Sequence, residues 1–302
     1  SSKDKAESLT LRQKSIKEKK EKYKNKEYLR EKELRKYKKK SEKFLPIYKE
    51  DKPFKIIMNY QTTLDLIKKY PKKRGVLPKP IRKIFNKHYS ENRNNFLSQL
   101  SERWLHTSID ERNIKNTTLE IGAGTLNHLK YETKKHYDII EPKSFLYKNS
   151  INKKLINKRY ADIKLTPDNN YNRIISCAVL EHITDLPDYL YVSSLKLKKR
   201  GYQQHSIPCE GYPMWDILWF MFSGILFKLK FGYSFRYIQK HEHVNNFDEI
   251  KSLIAFFYKK VEIKFSYPFY NKYLSFYANI KFSNPNQKNI LIYKKQFRQK
   301  KT

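Results

Sequence analysis

Two acids and two glycines are the first residues whose types and spacing suggest chemistry. Glu120 stands near the end of the short apolar run Thr117 to Ile121, and Gly122-Ala123-Gly124 follows at once. A G-x-G turn lets the backbone approach a ligand where a side chain would collide, and a helix starting there presents free N–H groups. Tyr137-Asp138-Ile139-Ile140-Glu141 reads as the next strand and also ends in an acid. A carboxylate placed about 20 residues beyond the glycines can accept hydrogen bonds from both hydroxyls of a ribose. The plainer readings are an ordinary strand-to-helix turn and, at Glu120, a surface acid. The pairing of the turn with Glu141 favours the ligand.

His241-Glu242-His243-Val244-Asn245 is the second such group. If Tyr237 to Val244 is extended, His241 and His243 share one face, and two imidazoles at that spacing could ligate a metal. No third ligand is near in sequence, since His205 and Glu210 are remote, so no metal is expected. Two readings then stay open: an imidazole with its ordinary pKa of about 6.5 that removes or relays the proton of an acceptor hydroxyl, or a hydrogen bond in a substrate pocket without proton transfer. The two cysteines, Cys177 and Cys209, form neither a disulfide framework nor a C-x-x-C pair. A reducing compartment is the default.

The acid beside the turn also discriminates between ligands. A pyrophosphate-bearing dinucleotide asks for a third small residue, where this chain has Asn127, and Glu120 would repel the phosphates. A ligand carrying a cationic amine suits it better. S-adenosylmethionine is such a ligand.

These residues need elements to position them. The chain has 302 residues, 39% hydrophobic and 15% aromatic, enough apolar material for a folded core and for one large domain or two small ones. Residues 1–50 hold 19 Lys or Arg against 9 Asp or Glu and no Gly, and read as a basic extension, helical or disordered. Residues 51–115 read as a helical cap, with Ile56, Ile57, Tyr60, Leu64 and Ile67 spaced for one face, a turn-rich break at 71–80, and a resumption from Ile81 to Trp104. Short apolar runs at 117–121, 137–141, 173–179 and 202–207 alternate with helical stretches, which implies a parallel sheet. Val261 to Phe265 and Ser275 to Phe282 read as an antiparallel hairpin on its edge. The expected fold is α/β and Rossmann-like: a mostly parallel seven-stranded sheet over residues 116–285, with a basic tail at 286–302.

The stretch from about Thr117 to Phe282 resembles a class I S-adenosylmethionine-dependent methyltransferase. Its residues are Leu119-Glu120-Ile121-Gly122-Ala123-Gly124 and the acid of Ile140-Glu141-Pro142. More narrowly, that first motif through Leu129, Ile174 to His182, Ser206 to Gly211, and His241 to Asn245 resemble bacterial methyltransferases associated with surface-polysaccharide synthesis. The resemblance covers a little over half the chain and extends weakly upstream through His88-Tyr89 and Asn92-Arg93. It implies that Gly122, Ala123 and Gly124 line the methionine moiety. Glu120 holds the ammonium directly or through water, and Glu141 takes the ribose. Asp162 stands near the adenine amino group, with a helix N-cap as its plain alternative. Cys177, Leu180 and Glu181 run beside the sulfonium. His182 falls at the substrate entrance, where it joins His241 and His243 as a candidate base; its alternative is a bond to a backbone group. Met214 to Phe231, with Trp215, Trp219, Phe220 and Phe222, falls where this fold inserts substrate-binding structure, so Glu210, Trp215 and Arg236 are the expected substrate contacts.

The implied partner is a glycan or a lipid-linked glycan. Lys228, Lys230 and Arg236 beside the apolar stretch suit peripheral contact with an anionic membrane, against the alternative of buried packing under a lid. No secretory signal is visible, and the longest apolar run, Ile217 to Phe227, is too short to span a bilayer, so the expected location is cytoplasmic, at the inner face of the membrane for a lipid-linked substrate. The net charge of +35 allows nucleic acid as a partner. Against it, only 13 of 65 basic residues are Arg, and bidentate phosphate contacts favour Arg. A methyltransferase-like fold retained as a non-catalytic subunit is the remaining alternative.

Overall fold

Seven short strands carry the molecule: β1 (Thr118–Ile121), β2 (Tyr137–Ile140), β3 (Arg159–Tyr160), β4 (Tyr171–Cys177), β5 (Leu197–Pro208), β6 (Tyr258–Phe265) and β7 (Tyr277–Pro285). The computed structural model describes residues 60–82, 84, 96–109, 117–132, 136–218, 225–232, 235–266 and 271–299. The basic extension, residues 51–59, 83, 85–95 and 110–115 of the cap, which include His88 to Arg93, and Trp219, Phe220 and Phe222 lie outside them.

The sheet order is β3-β2-β1-β4-β5-β7-β6. All pairs from β3 to β5 are parallel, and β7 runs antiparallel to both β5 and β6. This is the expected Rossmann-like sheet with its edge hairpin. The order reverses between β1 and β4, which opens a crevice at the carboxyl ends of β1, β2 and β4, the usual ligand position in such sheets.

The sheet buries both faces, as parallel strands require. Leu119, Ile121, Ile140 and Ile174 face a core completed by α3 (Leu186–Lys196) and α7 (Phe247–Phe257), where Leu190, Ile250, Leu253, Phe256 and Phe257 are fully buried. Each such side chain contributes about 1.5–3 kcal/mol relative to exposure. The opposite face is smaller, with Ala123, Leu126, Leu129, Ile139, Tyr147 and Ile175. Helix α7 starts at a capping box in which Asn246 accepts from the Glu249 N–H and Glu249 reaches back to the Asn246 N–H, worth about 1 kcal/mol.

Four expectations are corrected. The helix expected after the glycine turn is, among the described residues, a single 3-10 turn at His128–Lys130; Leu126 sits at φ 65°, which an α-helix cannot continue through. Between β2 and β4 the described connections are also 3-10 turns. Tyr237 to Val244 is not extended, because α6 (Phe235–Glu242) occupies it. Residues 286–302 are not simply a tail: α8 (Gln287–Tyr293) drives Ile290 and Tyr293 into the main core, and Arg298 bonds Asp188 at 2.8 Å.

The remaining described helices are α1 (Tyr60–Lys68), α2 (Phe96–Thr107), α4 (Pro213–Leu218) and α5 (Ile225–Phe231). Helix α2 lies over β5, where the Ser206 hydroxyl donates to the Leu105 carbonyl at 2.9 Å. No helix among the described residues is long and apolar enough to cross a membrane.

Candidate active site

At the crevice the chain turns sharply after β1. Gly122 lies at φ 64° and Gly124 at φ 52°, the left-handed region that side chains disfavour. Gly122 has a second constraint, since a Cβ there would stand 2.7 Å from Cγ2 of Val179. The turns after β1 and β4 therefore touch. Ala178, in the second of them, is itself at φ 53°, a strained position of the kind found at functional sites.

Glu141 closes the crevice from β2. Its Oε2 accepts the Gly124 N–H and its Oε1 the Lys143 N–H, both at 2.9 Å. The carboxylate is thus fixed in place, yet each oxygen keeps a further acceptor position. Glu120 behaves differently. It is 2% exposed, accepts the Tyr137 hydroxyl at 2.9 Å, and is pushed up to about 7 by burial, against the pull of His128 and that hydrogen bond. Its carboxylate belongs to a buried network with Tyr137 and His128. Asp162 is exposed and caps the 3-10 turn Ile163–Leu165, accepting the Lys164 N–H at 2.8 Å. Leu180 is fully buried in the core.

The segment after β4 meets the histidine segment. Val244 and Asn245 donate their N–H groups to the Glu181 carbonyl at 2.8 and 3.1 Å. The Asn245 amide donates to the carbonyls of Leu180 and Ile183, and its Oδ1 accepts the Tyr70 hydroxyl at 2.6 Å. Lys72 fastens the same strap from the cap side, bonding the Val244 carbonyl and Glu249 at 2.7 Å. This lock brings Glu181, His182 and His243 together, with ligand-type atoms within 4.8 Å of one another.

His182 donates from Nδ1 to the Glu242 carbonyl at 2.9 Å, which leaves a lone pair on Nε2. Burial, and then the charge of His243, push it down to about 3, so the ring is neutral at neutral pH. His243 stands edge-on to it with ring centroids 4.7 Å apart, and its Nδ1 meets Glu210 Oε2 at 2.5 Å. Burial pulls His243 down, but the bond to Glu210 and the charges of Glu181, Glu210 and Glu242 outweigh it and hold this imidazole above its ordinary value. Glu181 is 1% exposed and pushed up to about 7 by burial, despite the His243 charge. Its Oε2 has no hydrogen-bond partner among the described residues.

Sequence reasoning paired His241 with His243, and the fold separates them. His241 packs on Gly75, where a Cβ would stand 2.3 Å from its Cδ2, while His243 turns to Glu210. His205, considered as a remote ligand, is fully buried in β5 and meets Ser176 Oγ at 2.7 Å. Trp215 is also buried, its ring 5.3 Å from Tyr277, on which Trp104 stacks at 6.0 Å. Arg236 is exposed on α6. Sequence reasoning missed Tyr70, Lys72 and Arg74, which hold the strap; Arg74 bonds the His182 carbonyl and lies 3.6 Å from Glu242. Nothing in local sequence ties these residues to a segment some 170 positions later.

No family model and no curated protein matches the sequence. Among solved structures the chain is similar to a SAM-dependent methyltransferase from Thermotoga maritima, with 16% identity, TM-score 0.46, and coverage of 67% of this chain and 98% of that one. It is also similar to a SAM-dependent methyltransferase from Archaeoglobus fulgidus, with 14% identity, TM-score 0.45, and coverage of 66% and 99%. The CurJ carbon methyltransferase follows at 14% identity and TM-score 0.42, with 74% and 66% covered.

Proposed function

We propose that this chain is an S-adenosylmethionine-dependent methyltransferase acting on an oxygen, a sugar hydroxyl of a cell-surface glycan or its lipid-linked precursor. The observation that carries the reading is Glu141 at the crevice, pinned by the N–H groups of Gly124 and Lys143. Each of its oxygens has room for one more donor, as two vicinal ribose hydroxyls require. The glycine turn offers backbone instead of side chain to the methionine part, and Cys177 and Glu181 border the crevice from β4. Asp162 is assigned to the adenine amino group by the resemblance alone. When bound, S-adenosylmethionine supplies an electrophilic methyl group on a positively charged sulfur.

His243 takes the acceptor's proton. Its Nδ1–H is donated to Glu210, which fixes the tautomer, leaves Nε2 as the proton acceptor and stabilises the imidazolium that results. His182, neutral and edge-on to His243, orients the acceptor hydroxyl. The main demand is alignment of acceptor oxygen, methyl carbon and sulfur, which can supply several kcal/mol, about 7–11 at the extreme. The rigid strap of Tyr70, Lys72 and Asn245 serves that demand. The surface-polysaccharide resemblance supports the sugar. The exposed residues Ile225, Lys228, Leu229 and Lys230 on α5 support a lipid-linked phosphate substrate, because apolar and cationic side chains together suit such an interface.

Calorimetric titration of the full chain with S-adenosylmethionine tests the cofactor. One site per chain is expected, weakened at least about tenfold in Glu141→Ala, since charge-assisted hydrogen bonds contribute about 1.5–3 kcal/mol. Absent binding, or binding indifferent to that change, overturns the reading. Transfer of labelled methyl to a lipid-linked oligosaccharide, recovered as a sugar methyl ether, tests the acceptor; label found instead in RNA would move the substrate class.

A further inference from the structure

We propose that His106, His128 and Cys177 form a binding site for a thiophilic divalent cation, zinc by ligand type, that pins α2 to the sheet. His106 comes from α2, His128 from the turn after β1, and Cys177 from the end of β4. Their ligand atoms lie within 4.8 Å of one another. The His106 and His128 Nδ1 atoms are 3.1 Å apart, and the Cys177 sulfur is 3.3 Å from the former. The sulfur also lies 3.8 Å from the Leu105 carbonyl.

The groups behind these atoms suit a cation. His128 Nε2 meets Glu132 Oε1 at 2.8 Å, and Glu132 is held in turn by Arg173 at 2.6 Å. An ionised carboxylate only accepts, so the proton of His128 sits on Nε2 and a lone pair on Nδ1. His106 Nε2 lies 3.8 Å from Glu102, beyond hydrogen-bond distance, so that contact does not fix the His106 tautomer. In the absence of an ion the His106 Nδ1–H can donate to the His128 lone pair at 3.1 Å; a cation entering beside the sulfur takes the place of that proton, which shifts to His106 Nε2 on the side of Glu102. Zinc-ligating histidines usually donate their distal N–H to a carboxylate, carbonyl or water, as His128 does to Glu132. Zn–N bonds of about 2.0–2.1 Å and a Zn–S bond of about 2.3 Å in tetrahedral geometry place ligands roughly 3.3 to 3.6 Å apart, within a few tenths of an ångström of the two distances that involve His106. Binding forms one metal–sulfur and two metal–nitrogen bonds, and the Cys177 thiol proton leaves to solvent. Three protein ligands leave the fourth position to water. The assignment goes beyond methyl transfer and stands if that reading fails.

Cobalt(II) is the probe. Metal-stripped full-length protein titrated with Co²⁺ should develop the near-ultraviolet thiolate-to-cobalt band and the intense visible bands of a tetrahedral site, saturating at one ion per chain and displaced by Zn²⁺. Cys177→Ser should abolish the thiolate band, and Cys209→Ser should leave it intact. His106→Gln, checked for folding by circular dichroism, should weaken binding at least about tenfold. A folded wild type without the thiolate band, or a band that survives Cys177→Ser, overturns the proposal. The band also separates this site from Glu181, His182 and His243, which have no thiolate to offer.

Discussion

Replacing Gly122 by alanine probes the contact on which the crevice geometry depends. Two costs can be separated. The left-handed conformation at φ 64° disfavours an L side chain by about 1–2 kcal/mol. The new methyl would also stand 2.7 Å from Val179 Cγ2, and forcing a methyl into filled space costs about 1–3 kcal/mol. Gly122→Ala should therefore lose about 2–5 kcal/mol in equilibrium denaturation. Gly124 provides the control: its φ is 52°, but the nearest atom to its Cβ position is the Gly122 carbonyl oxygen at 3.9 Å, so Gly124→Ala should lose only about 1–2 kcal/mol. The decisive measurement is the double mutant. With Val179→Ala already present, Gly122→Ala should cost only its backbone share, a coupling of about 1–3 kcal/mol. Affinity for S-adenosylmethionine should fall with Gly122→Ala and recover in part with the second change, because the same turn holds the Gly124 N–H on Glu141. Additivity within about 0.5 kcal/mol would refute the argument that the two turns are in steric contact.

Three further outcomes follow from the histidine strap. Glu181, pushed up to about 7 by burial, favours folding most when protonated; that contribution is complete below its ordinary value of 4.5 and is lost as pH rises through about 7. Glu181→Gln should accordingly be more stable than wild type at pH 8 and little changed at pH 4, as read by thermal unfolding. Asn245→Ala removes the partners of Tyr70, Leu180 and Ile183 at a site 1% exposed, so a loss of about 2–4 kcal/mol is expected; a loss below 1 would show that the strap is not locked by this side chain. Glu210→Gln removes the neighbour that most raises His243, so the acidic limb of the pH–rate profile should move to lower pH and the plateau rate fall about 10²-fold. An unmoved limb would assign the proton to another group.

Much of the sheet could be read from residue order, because β1, β2 and β4 are buried strands and appear as short apolar runs. The start of β5 could not. Leu197-Lys198-Lys199-Arg200-Gly201 carries three exposed cations, a pattern that periodicity assigns to a loop, yet its backbone extends the ladder toward Tyr171. The expected helix after the glycines was lost to the left-handed Leu126, and 286–302 was misread because its lysines obscure the two side chains, Ile290 and Tyr293, that enter the core.

The primary structure by itself determined the acid-tipped strands, the glycine turn and the chemistry they suit, since those features depend on neighbours in the chain. Only the tertiary structure decided which imidazole faces which carboxylate. A helix at 235–242 turned His241 toward Gly75 and left His243 to Glu210, and three segments separated by 22 and 49 positions met as His106, His128 and Cys177. Such pairings are set by where the sheet order and the helix crossings carry each backbone, and distance along the chain holds no record of that path.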